Sequence, residues 1–381
     1  MSYRNKIIRN TLYCYMPIVI IFALIRMLSA FGLLNFLGTA ADYVLSIVIQ
    51  IGLLFCLSIF LFAGRTKAKV KDVFSFYKFK KINWKAILIS IAIGVVVYLL
   101  NVLITTFFNA FLTALGYKFS NGSSMTEYPV WLLFVNLLMT AVLPGICEET
   151  AHRGALLNGL SAMGQKKALI ISSLLFGLLH LNIEQVFYAT LIGLLVGYIT
   201  CICNTIYPAI IIHFMNNAMS VIMGFSSFHK IGLEIGFTYL SNFLSSSPIL
   251  GILLMIVIIT ALLYILKFLV KLLFKNTTFK RMAQLEQVIV NQIEKERYLK
   301  EVEQAANGNI DNIEEQPLSE ADFERIYKQH NQKFFTSNAI EKGLTEDKEP
   351  FKLDKISKIM LITTMVIVSV LTIFTFIWGI I

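Results

Sequence analysis

Two adjacent glutamates, Glu148 and Glu149, end an otherwise apolar run from Trp131 to Ile146, and Arg153 follows in the same stretch. A charged side chain costs roughly 2.5 to 3.5 kcal/mol at the centre of a membrane helix, so such a cluster inside an apolar span marks a functional site by default. Glu149 and Arg153 are four residues apart. On a helix that spacing puts them on one face with Cβ atoms about 5 to 6 Å apart, where their charges neutralise one another. Glu148 is turned about 100° away from Glu149 and is left without a local counter-charge. It is the better candidate for chemistry, as a general base that takes a proton from water in a poorly solvated pocket.

Two later apolar runs each bring a histidine with a companion on the same helix face: Phe176 with His180, and His213 with Asn217. Histidine and asparagine both donate hydrogen bonds to a developing oxyanion, and such donors count for more where water is scarce. A glutamate base, a water-orienting histidine and a His/Asn oxyanion pair together describe peptide hydrolysis. Pro144 and Gly145 loosen the helix just before the glutamates, a break that membranes tolerate where it lines a cavity. Taken singly, each motif also has a bland explanation. A lone membrane histidine more often packs than catalyses, Asn216 and Asn217 can serve as interhelical glue worth about 0.6 kcal/mol per interaction, and the Glu149/Arg153 pair can be structural. The co-occurrence of three motifs in successive segments favours chemistry. The other acidic residues before the insert, Asp42, Asp72, Glu127, Glu184 and Glu234, fall in loops or at helix ends.

The elements that must position these residues are membrane helices. Hydrophobic residues make up 57% of the 381, charged residues only 15% against roughly 25% in soluble domains, and the mean hydropathy is +0.72. The composition implies an all-α, polytopic transmembrane helical bundle of about eight to nine helices. Candidate spans run near 12–36, 41–63, 86–108, 130–150, 167–181, 185–203, 206–224, 247–272 and 358–381, at the length that crosses a bilayer. The transmembrane domain is thus 1–273, a cytoplasmic insert occupies 274–357, and residues 358–381 form a last membrane helix. The insert is polar, with a helical stripe over Arg281–Ala306 (Met282, Leu285, Ile289, Ile293) that fades into a partly disordered region. Its length leaves room for a protein partner.

Lysines and arginines concentrate at the start (Arg4, Lys6, Arg9), in the 64–85 loop, at Lys166 and Lys167 and over Lys271–Arg281. The positive-inside rule then puts the N-terminus in the cytoplasm and, after nine crossings, the C-terminus outside. The net charge of +10 reads as topology and attraction to anionic lipid, not nucleic-acid binding. The first span is too long, and lacks the small-residue cleavage site, for a removable signal peptide. Cys14, Cys56, Cys147, Cys201 and Cys203 lack the spacing of a disulfide framework or a zinc site and read as small buried hydrophobes.

The order EExxxR (Glu148, Glu149, Arg153), FxxxH (Phe176, His180) and HxxxN (His213, Asn217) resembles the CPBP family, the CAAX protease and bacteriocin-processing (Abi) family of intramembrane endopeptidases. The resemblance covers about 130–224, which would be the protease-like core. It implies that Glu148 activates the attacking water with help from His180, that His213 and Asn217 stabilise the oxyanion, and that Glu149 and Arg153 shape the pocket. The family commonly has an aromatic residue before the arginine, where this chain has His152, for which packing or a cavity contact is expected.

Metal dependence stays open. Glu148, His180 and His213 supply the two-His, one-carboxylate set of a catalytic zinc site, the HExxH signature is missing, and a metal-free mechanism uses the same residues. The substrate is expected to be a peptide or membrane protein in or on the bilayer. Processing of leader peptides, immunity or membrane-protein turnover is favoured over maturation of prenylated proteins, because the Ile-, Lys-, Asn- and Phe-rich composition is that of a low-GC bacterium. A catalytically silent scaffold and a cation or proton transporter are the alternatives, the latter weakened by the lack of an internal repeat. On the spans given above, Glu148 lies near the cytoplasmic end of its helix and His180 roughly 20 Å deeper. Their convergence therefore requires the glutamate helix to begin or tilt deeper, or the histidine helix to start nearer Ala162. The site is then expected to open to the cytoplasmic half of the bilayer.

Overall fold

The computed structural model describes residues 2–34, 41–119, 127–247, 249–277 and 352–380, so the insert, with its Arg281–Ala306 stripe, lies almost wholly outside the described residues. Those residues form helices and no strand. Eight helices are long and apolar enough to cross a membrane: α1 (Tyr3–Ala30), α2 (Tyr43–Thr66), α4 (Trp84–Ala114), α5 (Val130–Met163), α7 (Ile183–Cys203), α8 (Tyr207–Phe228), α10 (Ile249–Thr277) and α11 (Lys355–Ile380). Between them lie the short α3 (Val70–Phe76), α6 (Gln165–Leu179) and α9 (Ile235–Ser246). The chain is a multi-pass membrane protein.

Local chemistry fixes the helix ends. Ser2 accepts from Asn5 N at the start of α1, Asn83 from Ala86 N at 2.8 Å at the start of α4, and Asn182 from Glu184 N at 2.9 Å at the start of α7. Each side chain satisfies one of the amide groups that a helix start leaves unpaired. α7 ends on Asn204, whose φ of 51° puts it in the left-handed region that asparagine tolerates.

The spans differ from the hydropathy reading where charge is locally neutralised. α5 is a single stretch of 34 residues, about 51 Å long, instead of ending near residue 150. Its polar middle, from Glu148 to Asn158, does not stop it because Arg153 is paired within the helix. π-type winding over Leu137–Val142 and Thr150–Leu157 flanks Pro144, which lacks the N–H that regular winding needs at that position. α1 likewise begins at Tyr3, so Arg4, Lys6 and Arg9 are helical residues and not a preceding tail.

α6, the expected 167–181 span, has only 15 residues, about 22 Å. It nevertheless reaches the far end of α11. Thr372 Oγ1 and Thr375 Oγ1 of α11 bond Leu178 O at 3.5 Å and Ile183 N at 3.3 Å. At the other end of α11, Asp354 Oδ1 meets Arg9 Nη2 at 2.5 Å and Lys352 O accepts from Asn5 Nδ2 at 2.8 Å. The α6–α7 turn and the start of α1 are thus separated by most of the length of α11. α1 and α11 run parallel, side by side.

The Lys-rich segment after α2 closes the end of the bundle that α1 starts from. Lys78 O accepts from Ile206 N at 3.0 Å and Lys80 O from Thr205 Oγ1 at 2.6 Å, which ties this segment to the start of α8. Asn83 Nδ2 donates to Asn276 O at 3.0 Å near the end of α10. The basic clusters of the sequence therefore gather at one end.

Candidate active site

The glutamates sit in the middle of α5. Glu148 lies 15 residues before Met163 and His180 lies 15 residues after Gln165, each about 22 Å along its helix from the shared α5–α6 turn. Extension of α5 to Met163 therefore brings the two residues to one depth. The α7–α8 turn sets His213 a turn and a half into α8, facing the same point.

One side of the site is dry and crowded, with Glu149 Oε1 shared by two donors and Glu149 Oε2 buried without a hydrogen bond among the described residues. Glu149 is 0% exposed and Arg153 1%. Arg153 Nη1 donates to Glu149 Oε1 at 2.8 Å and Nη2 to Gly193 O at 3.2 Å, and the guanidinium lies 4.3 Å from the centroid of the Phe176 ring. His213 Nδ1 meets the same Glu149 Oε1 at 2.8 Å. A carboxylate paired with arginine can only accept, so Nδ1 carries the hydrogen in this bond and Nε2 is the free ring nitrogen. Two glycines permit this crowding. A Cβ on Gly193 would stand 3.3 Å from Arg153 Nη2, Phe176 Cδ1 and Ser173 Cα, and one on Gly145 would stand 3.3 Å from Ile210 O and Phe214 N.

The other side is partly open. Glu148 has 17% side-chain exposure. Its Oε1 accepts from Gln50 Nε2 at 2.8 Å, and its Oε2 lies 4.0 Å from His213 Nε2. His180 Nδ1 donates to Phe176 O at 3.0 Å, since a carbonyl only accepts, and this leaves its Nε2 free. A cavity of about 50 Å³ is lined by Phe22, Leu54, Glu148, His152, Phe176, Leu179 and His180. A water molecule needs roughly 10–15 Å³ of such space. The Phe176 ring is the hub, meeting His152, His180 and His213 edge to face at 5.0, 5.2 and 5.7 Å.

Residues 129–219 match the family described as type II CAAX prenyl endopeptidase Rce1-like. No curated protein and no solved structure matches the chain. The matched stretch comprises α5, α6, α7 and the first half of α8, and it supplies every residue of the three motifs. It does not supply the whole site, because Phe22 comes from α1 and Gln50 and Leu54 from α2.

Five of the six sequence-derived site residues, Glu148, Glu149, Arg153, His180 and His213, gather around Phe176. Asn217 stands apart. Its Nδ2 donates to Thr140 O at 3.0 Å and its Oδ1 accepts from Asn216 Nδ2 at 3.0 Å, and no bond joins it to the carboxylates. The reason lies in α5: Pro144 cannot supply the N–H that the carbonyl four residues earlier would receive, and the asparagine amide reaches that oxygen instead. One Nδ2 hydrogen remains for another acceptor. Asn101 Nδ2 extends the amide chain by donating to Asn216 Oδ1 at 3.3 Å.

His152 is buried, with Nδ1 3.2 Å from Tyr15 Oη of α1. It keeps its Nε2 without a hydrogen bond among the described residues. No group of three or more His, Cys, Asp or Glu side chains among the described residues is arranged to hold a metal ion. Each imidazole of the candidate zinc trio commits Nδ1, to Glu149 or to Phe176 O, and keeps Nε2 free, an arrangement that metal-binding histidines share.

Sequence reasoning missed Gln50, Tyr15, Phe22 and Leu54. Gln50 had a signal, as an amide inside an otherwise apolar span, but one without a motif partner nearby. Tyr15, Phe22 and Leu54 look like ordinary lipid-facing or core residues.

Proposed function

We propose that this chain is an intramembrane endopeptidase that hydrolyses a peptide bond of a membrane-associated protein or peptide. The observation that carries the reading is the convergence of Glu148 and His180, from two helices, on a cavity large enough for water, with His213 Nε2 of a third helix 4.0 Å from Glu148 Oε2. The Rce1-like match is independent support.

In this reading a water molecule gives hydrogen bonds to two acceptors, Glu148 Oε2 and His180 Nε2, which orients its oxygen lone pair towards the scissile carbonyl carbon. Glu148 takes the proton as the C–O bond forms. Asn217 offers its second Nδ2 hydrogen to the oxyanion. His213 joins it once the ring bears a second proton, which the 4.0 Å gap between Glu148 Oε2 and His213 Nε2 places within reach. Collapse of the tetrahedral intermediate breaks the C–N bond, and the amine leaves with the proton returned from the Glu148/His213 pair. Every step is assigned to protein groups. Glu149 and Arg153 hold His213 in the required tautomer.

The basic end of the bundle faces the cytoplasm, with the C-terminus outside. The insert, with any partner, hangs from the cytoplasmic ends of α10 and α11. The substrate class favoured is a leader-type or membrane-protein segment, since the residues lining the cavity include none that singles out a prenyl group.

The test compares newly formed peptide termini in membranes of deletion cells complemented with wild type or with Glu148→Gln at matched abundance. Termini that appear only with wild type are expected, and their sequences identify the substrate. Identical termini, with any phenotype rescued by the variant, would replace the protease reading with that of a membrane scaffold.

A further inference from the structure

Gln50 is the one side chain that hydrogen-bonds Glu148 among the described residues, and it comes from α2, outside the stretch that matches the family. It is 8% exposed, lies 98 positions from its partner and donates through Nε2 at 2.8 Å. Its own Oε1 is buried with no hydrogen bond. A buried amide with an unused acceptor costs about 1–3 kcal/mol, and a leucine or isoleucine, as at neighbouring positions of α2, would fill the space without that cost. A residue selected for packing would not be a glutamine.

The bond has a geometric consequence. A carboxylate on three rotatable bonds presents either oxygen to the cavity unless one is held. Gln50 occupies Oε1, so Oε2 is the oxygen directed at His213 Nε2 and available to water.

Resting on the reading of Glu148 as the base, we infer that Gln50 is a positioning residue, which selects Oε2 of Glu148 as the basic oxygen by occupying Oε1. The reaction thereby depends on a helix that the family match does not include. A binding-only role is disfavoured because Leu54, one turn further along α2, lines the cavity while Gln50 does not.

Two substitutions separate positioning from packing because they rank oppositely. Gln50→Met keeps the length and bulk but removes the donor. Gln50→Asn keeps the amide and leaves a gap of one methylene. The readout is the rate at which wild-type-dependent termini appear in complemented membranes, normalised to the abundance of each variant, with Glu148→Gln run in parallel.

Positioning predicts a fall of at least about 10-fold for Gln50→Met, the size expected for a misplaced catalytic group. It also predicts partial recovery by Gln50→Asn, with cleavage positions unchanged in both. Gln50→Met at the wild-type rate, or Met above Asn, would overturn the inference while a silent Glu148→Gln left the base reading standing. If Glu148→Gln cleaved as wild type does, the base reading would fail first and the role of Gln50 would fall with it.

Discussion

Glu148 and Glu149 are neighbours in sequence with the same side chain, yet they serve two regions that differ in almost every physical respect. On the Glu149 side, one carboxylate oxygen accepts from Arg153 and His213, the guanidinium is stacked on Phe176, and glycines are needed to fit the side chains together. On the Glu148 side, the carboxylate keeps 17% exposure, leans on a single amide and borders a cavity. A turn of about 100° between successive residues is enough to divide the labour. Rigidity is concentrated on one side, and the vacant volume that a reaction needs lies on the other.

The largest expected effect that tests this division is that of Arg153→Ala. It leaves Glu149 as an uncompensated buried charge, for which a loss of about 3–5 kcal/mol is typical. A strong drop in folded yield and in the thermal midpoint of detergent-solubilised protein should follow. Normal yield with normal activity would remove the distinction between the two sides.

Asn217→Ala comes next. As an oxyanion donor Asn217 should be worth about 100-fold or more in turnover, read from the rate of wild-type-dependent termini. If its main task is to cap Thr140 O, the change will instead appear as lower abundance with the rate per molecule retained, and the open side would then lose a member. Gly193→Ala has the smallest expected effect. The added methyl crowds Arg153 and Phe176 at 3.3 Å, and overpacking of this kind costs about 1–3 kcal/mol. The thermal midpoint should fall while cleavage positions stay the same.

The contrast also explains what could be read from the sequence. The helical class and the presence of the spans follow from apolar runs, and the Glu149–Arg153 pair follows from helical spacing alone. Segment length was less legible: α5 continues through His152, Arg153 and Asn158 to Met163 because its charge is neutralised internally, which hydropathy averaging cannot register. The same error made Glu148 look shallow relative to His180. Gln50 was illegible for a different reason. Its partner is 98 positions away, and contacts that distant leave no period in the sequence. Asn217 was half legible, because the carbonyl it caps lies four residues before Pro144 and any proline inside a helix releases one.

The pairing of α1 with α11 bears on how the protein is made. Arg9 and Asp354 are 345 positions apart, so the first helix enters the bilayer long before its neighbour has been translated. Throughout that interval Asn5 and Arg9 lack their partners, and the α6–α7 turn lacks the two threonines of α11 that hold it. The chain can therefore assemble its glutamates and histidines early, but the brace across the bundle arrives only once α11 has been translated. A nascent chain stalled before α11 would hold the side chains of the candidate site in an unbraced bundle.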